Sequence, residues 1–203
     1  GGISVLEFKI IEGMFCSGKS SMLTDVAQVL DLREVDVLRE PTTPFCPSAT
    51  HSETQRALFD TYVAAWTRES DVYEAAGGAA VLGDKTIWTD FSPLGCVPFT
   101  RALAAVEEDA VERGRLEELA DGMVAVLNRI CRRWRVTLHR YLPSPTVAEV
   151  LRRLRRRDRR GDEAIYEQPP EDLWWMALVG AQYNFFFDTL VDVTSQGRVR
   201  GVR

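Results

Sequence analysis

The stretch Gly13-Met-Phe-Cys-Ser-Gly18-Lys19-Ser20 constrains this chain more than any other. An apolar run, Ile3 to Ile11, leads into it, and Met22, Leu23, Val26, Ala27 and Leu30 follow at helical spacing. The order predicted is therefore buried strand, glycine turn, helix. Glycine at positions 13 and 18 leaves no Cβ in the way, so successive backbone N–H groups can converge on one point. The start of the following helix adds its partial positive charge there. A loop of this form cradles phosphate oxygens, which makes Gly13, Ser17, Gly18, Lys19, Ser20 and Ser21 the candidate phosphate ligands. Lys19 supplies a point charge for β- and γ-phosphates. The Ser20 hydroxyl is an oxygen donor of the kind Mg²⁺ takes. A chance glycine turn is the competing reading, and the strand before and helix after argue against it.

Bulk properties narrow the classes. A chain of 203 residues with 45% apolar and 27% charged residues has the length and composition of one globular domain, expected to span 1–203. Its net charge of −5 opposes non-specific binding to nucleic acid or acidic membranes. There is no 18-residue apolar run to span a bilayer. Cys16, Cys46, Cys96 and Cys131 form no C-x-x-C pair, so reduced thiols in an intracellular setting are expected.

Along the chain, strand and helix signals alternate. Val35–Leu38 reads as a short strand that Pro41 ends. Glu53 to Ala76 reads as a helix with Leu58, Tyr62, Ala65 and Trp66 on one side. Thr86–Asp90 is a third strand, and Ser92-Pro93 opens a helix reaching about Ala110. Leu116–Arg132 is a further helix, Val136–Leu142 a strand, and Val147–Arg157 a helix with a basic tail. Asp172–Leu190 is apolar nearly all round, which fits a core helix or a subunit interface equally well. Arg198–Arg203 suggests a final edge strand. Alternation of this kind implies an α/β fold in three layers, a parallel sheet flanked by helices.

Three constellations add chemistry. Glu40, before Pro41, sits just past a strand end, the edge where open parallel sheets bind ligands. Its carboxylate could accept a proton from an attacking hydroxyl, or it could be an ordinary surface Glu. Asp90 also closes a strand, and it could support Mg²⁺ through water or cap a helix. The run Arg153-Leu-Arg-Arg-Arg157-Asp-Arg159-Arg-Gly-Asp162 has the spacing of a lid of guanidinium groups, about 153–163, that closes on a phosphoryl group. A solvated basic face is the rival reading.

This order of motifs resembles the deoxynucleoside and thymidylate kinases, and most of all the herpesvirus thymidine kinases. The matching pieces are Arg39-Glu-Pro-Thr-Thr-Pro-Phe45, Asp90-Phe-Ser-Pro93, Cys96-Val-Pro-Phe-Thr-Arg101, Leu142-Pro143 and the arginine run. The resemblance implies a P-loop kinase fold with ATP as phosphate donor, Mg²⁺ as cofactor and a (deoxy)nucleoside as substrate; the apolar character of Trp174–Phe187 adds the expectation of a homodimer. It implies Glu40 as general base for the 5′-hydroxyl and Phe45 as a wall of the base pocket. Arg153, Arg157 and Arg159 would bind phosphates, Asp162 would hold the deoxyribose, and Arg101 would line the pocket. Asp90 would support the metal beside Ser20. The segment Phe59-Asp-Thr-Tyr62 resembles one that reads the base, and Val97 stands where the family stacks a tyrosine on it, so Asp60, Val63 and Val97 are expected in the pocket. The chain departs from the family at Phe91, where an arginine is usual, and at Asp60, where a glutamine is. A thymidylate-type monophosphate kinase, with Arg39 and Arg68 holding the substrate phosphate, is the alternative enzyme. An ATP-binding scaffold that has lost turnover is the alternative outside enzymes.

Overall fold

The computed structural model describes residues 5–43, 46–157 and 173–203, and within them all side chains except those of Arg155 and Arg157. Phe45, Arg159 and Asp162 lie outside the described residues, as does the side chain of Arg157. Four parallel strands form the sheet in the order β2-β3-β1-β4. They are β1 (Leu6–Glu12), β2 (Val37–Leu38), β3 (Lys85–Thr89) and β4 (Arg135–Tyr141). Helices cover both faces, as the alternating pattern implies. On one face α1 (Lys19–Val29) brings Leu23 against Ile11 and Trp88. On the other, α2 (His51–Ala75), α4 (Cys96–Val106) and α5 (Ala110–Arg133) close over Phe8 and Ile10. The short α3 (Gly78–Leu82) follows α2, α6 (Val147–Arg157) follows β4, and α7 spans Leu173–Phe185.

Several boundaries differ from the sequence expectation, each for a local reason. Helix α2 starts two residues before Glu53 because Thr50 caps it: its hydroxyl accepts from Glu53 N while the Glu53 carboxylate accepts from Thr50 N. Helix α5 starts at Ala110, not Leu116, because Asp109 Oδ1 accepts from both Val111 N and Glu112 N at 2.9 Å. Val35 falls in a single 3₁₀ turn (Glu34–Asp36), which leaves β2 only two residues. The terminal strand β6 (Val199–Val202) does form, but it pairs antiparallel with β5 (Val191–Val193) in a sheet of its own. Helix α7 is not buried all round. It ends in a π turn (Phe186–Leu190), and Leu173, Trp174 and Phe185 are more than half exposed while Trp175, Met176 and Val179 enter the core.

The core centres on β1 and α2. Phe8 stacks flat on Trp66 with ring centroids 4.3 Å apart, and Trp134 meets Phe8 edge-on at 5.4 Å. The Trp134 indole donates to Ser70 Oγ, which pins α2 to the end of α5. Because Trp66 is wholly buried at the sheet–helix contact, Trp66→Ala is expected to cost about 3–5 kcal/mol. Denaturant titration measures this as a fall in midpoint at unchanged slope. A loss below about 1 kcal/mol would place the centre of the core elsewhere.

Candidate functional site

Three parallel strands deliver their C-terminal ends to one edge, and the candidate residues gather there. Strand β1 ends in Glu12 and turns through Gly13 into the loop that opens α1. Gly13 has no room for a side chain: a Cβ would lie 2.6 Å from Ser17 Oγ and 2.8 Å from the Leu142 carbonyl. Further on, Cys16 and Gly18 take left-handed backbone angles, φ 59° and 97°. These two turns wrap the loop around a hollow at the helix start, the shape that a phosphate cradle requires. Ser17 Oγ is buried there with no hydrogen-bond partner among the described residues.

The loop is braced from behind by Glu12. Its carboxylate accepts from Gly13 N at 3.0 Å and from Ser92 Oγ at 2.5 Å, and Lys19 Nζ lies 3.8 Å away. Burial pushes this carboxyl above its ordinary range, while Lys19, Ser92 and the Gly13 amide pull it back. Gly95 approaches so closely that a Cβ would sit 3.1 Å from Glu12 Oε1.

Asp90, at the end of β3, ties the remaining strand ends together. Its Oδ2 accepts from Ser20 Oγ at 2.9 Å, and its Oδ1 accepts from Glu40 N at 3.2 Å. Arg39 Nη1 lies 3.8 Å from Oδ2 and also donates to the Ser20 carbonyl at 3.3 Å. Ser20 and Asp90 thus present a hydroxyl and a carboxylate side by side. An oxygen-only pair of this kind fits Mg²⁺, which keeps most of its shell as water and phosphate oxygen. Among the described residues there is no cluster of three or more His, Cys, Asp or Glu that could cage a metal ion.

The Glu40 side chain turns toward α2, where the buried Tyr62 donates its hydroxyl to Oε1. Tyr62 leans in turn on Phe91, ring centroids 4.8 Å apart. From the other side, Arg153 on α6 reaches across to donate Nη1 to the Cys16 carbonyl at 2.6 Å. Glu149, one turn earlier, holds the same guanidinium through Nε, and its two arginine partners lower the Glu149 carboxyl to about 2.

Not every expected residue joins this group. Asp60 and Val63 line a separate cleft of about 510 Å³ with Phe59, Thr67, Arg68 and Val126. The reason is helical rotation: Asp60 is two residues from Tyr62 and so points about 160° away from it. Asp60 is exposed on the face of α2 that lies away from Glu40. Val97 is fully buried in the core, not open to a cleft. Arg101 is half-buried on α4. Ser21 is exposed at the start of α1.

Three residues were missed in the sequence reading: Glu12, Tyr62 and Gln55. Gln55 is wholly buried on the stripe of α2 that carries Phe59 and Tyr62, and neither amide atom has a hydrogen-bond partner among the described residues. A glutamine at helical spacing inside an apolar stripe was a readable signal for it.

No protein-family profile matches the chain, and no curated protein matches it in sequence. Solved structures do match in shape. Deoxyadenosine kinase from M. mycoides with bound dATP superposes with a TM-score of 0.52 at 14% identity, covering 90% of this chain and 84% of that one. The same enzyme with the products dCMP and a flexible dCDP gives 0.53 at 14% identity, with 90% and 83% covered. The chain therefore has the fold of the P-loop deoxynucleoside kinases.

Proposed function

We propose that this protein is a nucleoside kinase, which transfers the γ-phosphoryl group of ATP to the 5′-hydroxyl of a (deoxy)nucleoside. One observation carries the reading: a carboxylate fixed beside a phosphate cradle by a shared hydrogen-bond chain. Ser20 of the cradle bonds Asp90, and Asp90 bonds the backbone of Glu40. Among the described residues Glu40 Oε2 accepts no hydrogen bond, so it is open to a substrate hydroxyl. The structural neighbour, a deoxyadenosine kinase seen with bound dATP and with the products dCMP and dCDP, supports the same class of substrate.

In the proposed reaction Glu40 Oε2 takes the proton of the 5′-hydroxyl as its oxygen attacks the γ-phosphorus and the bond to ADP breaks. Little else is required of the protein than position and charge. The loop amides, Lys19 and Arg153 face the phosphates, and Arg157 and Arg159 are proposed to join them from the lid. Mg²⁺, held by the Ser20 hydroxyl with Asp90 through water, would neutralise phosphate charge. Phe45, Arg101 and Asp162 keep their proposed places around the nucleoside.

Gln55 is proposed to read the base in place of Asp60. It lies seven residues before Tyr62 on one stripe, about 10 Å along the helix. That is about the reach from a 5′-hydroxyl to the far edge of its base. An amide offers one donor face and one acceptor, and a base edge offers their complement. The thymidine-like preference rests on motif order alone. Monophosphate kinase chemistry is less well supported, because Arg39 is engaged with Ser20, Thr24 and Asp90, and Arg68 lines the outer cleft of α2.

Two substitutions test this. Glu40→Gln is expected to lower turnover about 10²–10⁴-fold while ATP affinity holds. Calorimetric ATP binding beside a coupled ADP assay measures both, and a variant that keeps more than about a tenth of the rate would show that Glu40 is not the base. Gln55→Leu removes an orphaned buried amide, so it is expected to melt no lower than wild type, and up to about 1–3 kcal/mol more stably. The same variant should lose kcat/KM for its best nucleoside and discriminate less among bases. Unchanged base selectivity would take Gln55 out of the substrate site.

A further inference from the structure

We propose that Tyr62 is a positioning residue for Glu40: its hydroxyl holds one carboxylate oxygen so that the other alone faces the substrate. The inference rests on the nucleoside kinase reading and goes beyond it by giving Glu40 a dedicated orienting partner. Glu40 needs one. It is exposed, it follows a strand of only two residues, and Pro41 follows it. The bond from its backbone N–H to the Asp90 carboxylate therefore holds its main chain but leaves its side chain free to swing. Tyr62 removes that freedom. Its phenol is 8% exposed and rigidly placed, on a long capped helix and against the ring of the fully buried Phe91. The hydroxyl donates to Glu40 Oε1.

The chemistry of the partner suits the task. A phenol donates one hydrogen bond and brings no charge, so it occupies one lone pair of the carboxylate and leaves Oε2 untouched. Burial and the adjacent Glu40 carboxylate push the Tyr62 hydroxyl far above its ordinary range. It stays a donor throughout the working pH range, and the hold does not switch off. Phe91 completes the arrangement. Its backbone N–H is bonded to Thr89 Oγ1, so the ring that backs Tyr62 belongs to the turn that carries Asp90.

The test is Tyr62→Phe, which keeps the ring and its contact with Phe91 and deletes only the hydroxyl. Loss of a hydrogen bond to a charged group that must be oriented is expected to lower kcat about 10- to 100-fold. KM for ATP and for the nucleoside should stay within about twofold of wild type, because neither substrate touches Tyr62. A kcat within about threefold of wild type, or a KM rise that accounts for the whole loss, overturns the proposal. A second measurement needs no turnover. In the ligand-free protein the shielded Tyr62 hydroxyl proton should give a slowly exchanging low-field proton resonance, lost in both Tyr62→Phe and Glu40→Ala. Its absence from wild type, or its survival in Glu40→Ala, overturns the hold itself. If wild type shows the resonance but phosphorylates no nucleoside, the kinase reading fails and the Tyr62–Glu40 contact stands as structure alone.

Discussion

Asp90 is the constraint on which the site depends. Its carboxylate is 3% exposed, and an ionised group so deeply placed is costly unless its lone pairs are used. Here they are: the Ser20 hydroxyl takes one oxygen, the Glu40 amide the other, and Arg39 stands nearby. These three donors come from two segments, both far from Asp90 in sequence. They are the first turn of α1 and the last two residues before Pro41. Satisfying one buried charge therefore sets the phosphate loop, the end of β2 and the end of β3 in register. A two-residue strand gives β2 little hold of its own, and the Asp90–Glu40 bond extends that hold past the last ladder pair, Leu38 with Thr89.

Glu12 is a second buried carboxylate at the same edge, and it works against stability. Its folded pKa is raised, so the folded state binds the proton more readily than the unfolded chain. Its contribution is thus best below the ordinary carboxylate range and becomes a penalty as pH rises through it. Above the raised value that penalty is complete. What offsets it is position: one oxygen holds the first amide of the loop and faces Lys19, and the other holds Ser92, two residues past Asp90. The two buried carboxylates brace the cradle from β1 and from β3. A side chain at Gly95 would press on the same carboxylate, which would have to give by a few tenths of an ångström.

What the sequence made legible was local. The glycine loop, Glu40 and Asp90 could be placed because a strand end is marked by short-range signals: an apolar run, a turn residue, a proline. The sheet class followed from the alternation of runs, and the parallel order agrees with it. Tyr62, Gln55 and Asp60 could not be sorted that way, because a helix shows its period in sequence but not which stripe meets which partner. The likeness of Phe59-Asp-Thr-Tyr62 to a base-reading segment favoured Asp60. The packing of Phe59, Tyr62 and Trp66 against β1 and Phe91 turned that residue outward instead. In α7, composition concealed the two-sided character: tryptophans at 174 and 175 are adjacent in sequence and opposite in environment.

The charges around the site are sorted by side, and that sorting bears on how Phe91 fits the proposed catalysis. Lys19, Arg39 and Arg153 all reach the loop or the start of α1, on the phosphate side. On the base side stand a phenol and an apolar ring. A guanidinium pressed on the Glu40 carboxylate would bring up to five donors and compete for both oxygens. It would orient the base and at the same time tie it up in an ion pair. A neutral donor orients through one oxygen only and leaves the other to receive the substrate proton. In the proposed reaction the cost would be one fewer cation near the transferred phosphoryl group, whose charge would be spread over several donors: the loop amides, Lys19 and Arg153 at least. Electrostatic stabilisation divided in this way weakens when one donor is absent but does not collapse. Phe91 is therefore read as one half of a pair with Tyr62, in which packing and a single hydrogen bond hold Glu40, the proposed base, while charge is gathered at the proposed phosphate cradle.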